Sequence, residues 1–171
     1  SILTALTALG FEKPTPIQQQ AIPHILSSDN DLVALAQTGT GKTAAFSLPV
    51  IQQIDPTKRS VQALILCPTR ELCLQIMRDI ETFIKFVKGV SVTAIYGGEF
   101  IGKQIKSLSA GVQIVVGTPG RVNDLLERGN LKLGDLQFLV LDEADEMLNM
   151  GFKEELDRIL TFAPEKKQTL L

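Results

Sequence analysis

Apolar residues in this chain recur in two alternating rhythms. Short runs rich in Val, Leu and Ile occupy residues 32–36, 61–67, 91–96, 112–117, 138–142 and 168–171. They lack a clean apolar/polar alternation, as expected of strands covered on both faces. Between them, Leu72, Ile76, Ile80, Phe83, Ile84 and Val87 follow at spacings of three and four, which makes one helical stripe. Met147, Leu148, Phe152, Leu156, Ile159 and Leu160 make another, read as a single stripe. A further helix is predicted through residues 17–26, with Thr15 as its N-cap and Pro16 in its first turn. Ile2, Leu3, Leu6 and Leu9 also have helical spacing, and Pro68, Pro119 and Pro164 fall at element boundaries. Strands alternating with helices predict an α/β fold, a doubly wound, mainly parallel sheet with helices on both faces. Right-handed crossovers then place the ligand loops at the carboxyl ends of the strands.

Length and charge sharpen this picture modestly. The 171 residues suit a single domain, and both ends read as cut from a longer protein. Lys and Arg number 17 against 19 Asp and Glu, so no broadly basic surface is expected. Any contact with nucleic acid must rest on individually placed groups. Cys67, Cys73 and His24 have no metal-ligand spacing, and the two cysteines read as reduced thiols of a cytoplasmic protein. No apolar run reaches the ~20 residues of a membrane span. His24, Cys73 and Tyr96 are read as structural.

Candidate chemistry appears where a strand meets a loop. Ala36-Gln37-Thr38-Gly39-Thr40-Gly41-Lys42-Thr43 follows the first apolar run and precedes a helical stretch. Glycines let a backbone curl its N–H groups inward around phosphates, and the helix that follows adds its positive end. Lys42 is then expected to reach the β- and γ-phosphates, and the Thr43 hydroxyl to bind Mg²⁺. Ala36 stands where Gly is usual, and its small side chain leaves the cradle open. The run at 138–142 ends in Asp142-Glu143-Ala144-Asp145. Asp142 is placed to hold Mg²⁺, in part through water, and Glu143 to orient or deprotonate an attacking water. The alternative for each motif is a turn: glycines that merely join strand to helix, and acids that cap one.

Asp142-Glu143-Ala144-Asp145 spells the motif that names the DEAD-box RNA helicases, and the form of the glycine-rich loop is typical of that family. Gly10-Phe11-Glu12-Lys13-Pro14-Thr15-Pro16-Ile17-Gln18 resembles its adenine-reading Q motif. Pro68-Thr69-Arg70, Gly97-Gly98 and Thr118-Pro119-Gly120-Arg121 resemble three of its RNA-contacting motifs, all in the family's order. The resemblance implies the first RecA-like P-loop NTPase domain of an ATP-dependent RNA helicase, with a second RecA-like domain absent from this chain. It implies that Phe11, Lys13 and Gln18 join residues 36–43 in binding ATP. Gln18 would match the N6 donor and N7 acceptor of adenine, and Phe11 would stack on the ring or else serve the core. Pro68, Thr69, Arg70, Gly97, Gly98, Thr118, Pro119, Gly120 and Arg121 would grip an RNA backbone without reading its sequence. Asp145 would couple the ATP site to the missing domain. Two other readings use the same residues. One is an ATP-gated RNA clamp that separates few strands; the other is a P-loop NTPase with no RNA partner, which leaves residues 68–72 and 118–121 unexplained.

Overall fold

The computed structural model describes residues 1–37 and 39–171. Five of the six apolar runs form strands: β1 (Ala63–Leu66), β2 (Val92–Ile95), β3 (Ile114–Gly117), β4 (Phe138–Leu141) and β5 (Gln168–Leu170). They build one parallel sheet in the order β2-β3-β1-β4-β5. Each strand is shorter than its apolar run. The register sets Ile95 beside Gly117, Gly117 beside Leu66, and Leu66 beside Leu141, so four strands end level with one another.

The run at 32–36 corrects the sequence reading. It lies beside β5 with one parallel bridge, Leu32 to Leu170, and hydrogen bonds from Leu32 N to Thr169 O and from Ala34 N to Leu171 O. Val33 is 69% exposed and Leu35 94% exposed, so this segment is an edge and is not covered on both faces. An apolar run alone cannot distinguish an edge from a central strand.

Helices α1 (Ile2–Ala8), α2 (Pro16–Ser27), α3 (Lys42–Gln53) and α4 (Arg70–Ile84) cover one face. Helices α5 (Ile101–Ser109), α6 (Pro119–Glu127), α7 (Ala144–Asn149) and α8 (Lys153–Phe162) cover the other. Strand alternation divides the core accordingly: Ala63 and Ile65 of β1 join the first layer, Leu64 and Leu66 the second. Ile76 and Ile80 of the α4 stripe are fully buried, each stabilising the fold by roughly 1.5–3 kcal/mol.

The second stripe is two helices, not one. Gly151 takes a φ of +85°, Gly151 N bonds Leu148 O, and Phe152 N bonds Met147 O. That pair of bonds is the left-handed cap that ends helices at glycine. Apolar spacing ran through Gly151 because Phe152 packs against the same layer as Met147. Among the described residues no helix is long and apolar enough to cross a membrane.

Candidate functional site

The carboxyl edge of the sheet collects the predicted residues, and strand order sorts them. From β2 to β4 the loops are Gly97-Gly98, then Thr118–Arg121, then Pro68–Arg70, then Asp142-Glu143. The residues matched to RNA motifs therefore stand side by side on one half of the edge. The acids fall on the other half, toward the glycine-rich loop.

On that half, the Lys42 ammonium lies 3.0 Å from Asp142 Oδ1. Asp142 follows β4 and its N–H bonds Leu66 O, which holds it at the rim of the sheet. Its side chain is 5% exposed and that of Lys42 27%, so the carboxylate is the more deeply buried charge. Gly39 and Gly41 take φ values of +82° and +80°, a left-handed backbone that glycine adopts without strain. The Thr40 hydroxyl donates to Gln37 O, and Lys42 and Thr43 open α3. Thr38, expected to bind cofactor, lies outside the described residues.

The set fits a nucleotide with a hard divalent cation. A curled glycine loop leads into a helix N-terminus, with one ammonium, one hydroxyl and one buried carboxylate in reach of the loop. Among the described residues no three His, Cys, Asp or Glu side chains form a cage. Mg²⁺ needs none, since it takes one or two protein ligands and completes its shell with water and phosphate oxygens.

Glu143 is the one described non-glycine residue with positive φ, at φ 55° and ψ 50°. It is the N-cap of α7. A side chain in this left-handed region costs about 1–2 kcal/mol, and such strain gathers at functional sites. Asp145 is exposed in the first turn of the same helix.

Gln18 is committed to the protein in this structure. It is 4% exposed, its Oε1 accepts from Thr15 N at 3.0 Å, and its Nε2 donates to Gly41 O at 3.1 Å. The amide thus braces the glycine-rich loop against the start of α2, keeping one donor hydrogen and one lone pair in reserve. The Thr15 hydroxyl beside it is buried without a partner. Phe11 is 43% exposed and meets Phe83 edge-on at 6.2 Å, so it is neither a core residue nor a free one. Lys13 is exposed.

The other half is cross-braced. Thr69 caps α4, its hydroxyl accepting from Leu72 N at 3.2 Å. Pro68 and Pro119, expected to contact RNA, are buried in the segments that follow β1 and β3. Gly97, Gly98 and Gly120 are exposed, and a Cβ at any of them would meet nothing within 4 Å. Arg70 lies over the Tyr96 ring, 4.9 Å from its centroid. Tyr96, set aside as structural, is therefore the platform for an RNA-motif arginine. Its hydroxyl, hydrogen-bonded to Glu99, holds that carboxyl below its usual range, and the same bond pushes the tyrosine up. Arg121 donates from Nη1 and Nη2 to Glu99 O and from Nη1 to Gln104 Oε1. Three of its five N–H donors are thereby occupied, and two have no partner among the described residues. Cys67 is fully buried, and its thiol is pushed up by the neighbouring Cys73 thiol, by burial and by the charges of Asp142 and Glu143.

Comparison with known proteins agrees with this arrangement. The family model described as DEAD/DEAH box helicase matches residues 15–171. The ATP-dependent RNA helicase DeaD of Haemophilus influenzae is 49% identical over 170 residues, spanning 99% of this chain and 28% of the relative. The crystal structure of a DEAD box protein from the hyperthermophile Methanococcus jannaschii superposes with a TM-score of 0.94 at 46% identity, covering 99% of this chain and 46% of that one. S. cerevisiae Dbp5, bound to Nup159, Gle1, IP6 and ADP, gives 0.91 at 37% identity, covering 99% and 44%. The chain thus spans just over a quarter of the curated relative and under half of each solved chain.

Proposed function

The chain belongs to the DEAD/DEAH box helicase family, and from that premise we propose that it is the first RecA-like domain of an ATP-dependent RNA helicase. Its parent protein is an RNA-dependent ATPase that couples hydrolysis to local opening of RNA duplexes, with a second RecA-like domain closing over the same edge. One observation supports this above the others. Lys42 and Asp142, one hundred residues apart in the chain, meet at 3.0 Å on the edge that also carries the three RNA-motif loops.

In this reading Phe11, Lys13 and Gln18 hold the adenine end, and residues 36–43 wrap the phosphates. Lys42 exchanges Asp142 for the β- and γ-phosphates, which frees the Asp142 carboxylate and the Thr43 hydroxyl to hold Mg²⁺, partly through water. When bound, ATP·Mg²⁺ supplies the γ-phosphoryl group that is transferred to water. Glu143 positions that water and accepts its proton. Arg70, Arg121 and the open glycines 97, 98 and 120 meet an RNA backbone, so binding is insensitive to base sequence. Asp145 faces the second domain and couples its closure to the nucleotide. The protein works in the cytoplasm, where its buried free cysteines stay reduced.

The test uses the full-length protein. Glu143→Gln keeps ATP binding and lowers RNA-stimulated turnover by roughly a hundredfold or more. Turnover at the wild-type rate removes Glu143 from its role. The 171-residue domain alone hydrolyses ATP very slowly, since the arginines of a second domain are worth about 10³ or more.

A further inference from the structure

The apolar stripe of α5 contains one polar residue. Ile101, Ile105 and Leu108 pack against the second core layer, and Gln104, on the same side of the helix, is 4% exposed. A leucine at this position would suit the packing. A buried amide is tolerated only where its hydrogen bonds are satisfied, and here both ends are. Nε2 donates to Tyr96 O at 3.0 Å, and Oε1 accepts from Arg121 Nη1 at 3.1 Å.

The partners are what give this residue its meaning. Tyr96 is the last residue before Gly97-Gly98, and its ring carries Arg70. Arg121 closes the Thr118–Arg121 motif and donates twice to Glu99 O, just beyond the glycine pair. One amide thereby ties all three RNA-motif loops: 97–98 through the Tyr96 carbonyl, 118–121 through the Arg121 guanidinium, and 68–70 through the tyrosine ring. We infer that Gln104 is a positioning residue for RNA, fixing the spacing of the three loops so that they follow one phosphate backbone together. It touches no RNA itself. It also helps to hold the Arg121 fork, two of whose donors have no partner among the described residues.

This inference rests on the RNA reading given above, and its test separates the two. RNA-stimulated ATPase is measured in full-length protein with a single-stranded homopolymer, varying RNA at saturating ATP and ATP at saturating RNA. Gln104→Leu, which fills the same space with no polar atoms, raises the RNA concentration for half-stimulation about tenfold, the effect of losing one oriented charged contact. The maximal rate and the KM for ATP stay within twofold. The slope of log RNA affinity against log salt falls by about 0.7, because one phosphate of a single strand is no longer neutralised; a residue that only filled the core would leave that slope alone. Gln104→Glu supplies a second, independent reading should the leucine variant fail to fold. It keeps an acceptor for Arg121 and loses the donor to Tyr96 O, so half-stimulation shifts by about threefold. A folded variant of either kind with wild-type RNA dependence and salt slope overturns the inference. A wild-type protein whose ATPase ignores RNA overturns the functional reading, and this inference with it.

Discussion

The two edges of the sheet use buried polar side chains in opposite ways. At the amino edge Gln62, Gln113 and Gln168 precede or open β1, β3 and β5, and each is at most 5% exposed. Gln113 accepts from Ser91 N and Ser91 Oγ and donates to Lys58 O and Gly89 O, so its amide is filled by neighbouring loops. Gln62 holds Asp55 N and Asp55 O, and Gln168 donates to Ser28 O and Asn30 O. Nearly every partner there is neutral backbone. At the carboxyl edge the groups are charged and incompletely used: an ammonium on one carboxylate, a guanidinium with donors left over, and a glutamate in a strained backbone. Charged groups with spare hydrogen-bonding capacity distinguish the carboxyl edge; at the amino edge the one buried hydroxyl without a partner among the described residues, Ser60 Oγ, is neutral.

The comparison breaks most visibly at Gln113. Replacing it by Leu strands Gly89 O and Ser91 N and leaves Lys58 O only its longer bond from Gln62 Nε2. At ~1 kcal/mol or more for each abandoned group, the domain should lose about 2 kcal/mol in urea unfolding, while nucleotide affinity of the folded protein is unchanged. A loss below about 1 kcal/mol means that water replaces the amide and that the amino edge is no more filled than its counterpart.

A comparable effect, and a directional one, is expected at the ion pair. Lys42 is partly solvated and Asp142 is nearly buried, so removing either partner leaves a charge in a different environment. Lys42→Met strands the buried carboxylate and destabilises by about 2 kcal/mol, below the range for a fully buried pair because one partner sees water. Asp142→Asn leaves the lysine free to turn outward and costs under about 1 kcal/mol. Combining Lys42→Met with Asp142→Leu recovers most of the first loss, since no charge remains to desolvate. Unfolding measurements on the three variants check this. Equal losses from the two single changes contradict the asymmetry.

The sequence conveyed the carboxyl edge far better than the amino edge, for a physical reason. Phosphate chemistry demands particular residues at fixed spacing, so Lys42, Asp142, Arg70 and Arg121 stand out as motifs, and the parallel strands behind them as apolar runs. A buried glutamine has no such signature. Gln62, Gln104, Gln113 and Gln168 look like surface residues until long-range partners are known, such as Ser28 for Gln168 at the far end of the chain. The α5 helix has a weak signature, since only Ile101, Ile105 and Leu108 mark its apolar face. Tyr96 was set aside because its partner Arg70 lies on another loop. Gly151 did offer a signal, and weighing it as a helix stop would have divided the 147–160 stripe correctly. The edge position of residues 32–36 had none, since pairing order is a tertiary fact.

The smallest effect has the sharpest sign, and it lies at Glu143. Its left-handed backbone is unfavourable for any residue with a Cβ, and the amino edge has no equivalent among the described non-glycine residues. Glu143→Gly removes that strain while enlarging the freedom of the unfolded chain, which offsets part of the gain. The domain should therefore become more stable by about 0.5–1 kcal/mol. On the function proposed above, the same change in the full-length protein should abolish turnover, because the carboxylate goes with the strain. Glu143→Ala tests the cause: it loses turnover equally but keeps the Cβ, so it should bring no such stabilisation. If glycine and alanine shift the unfolding midpoint alike, the gain comes from removing a charge near Asp142. The backbone at the end of β4 would then be no more strained than that of the opposite edge.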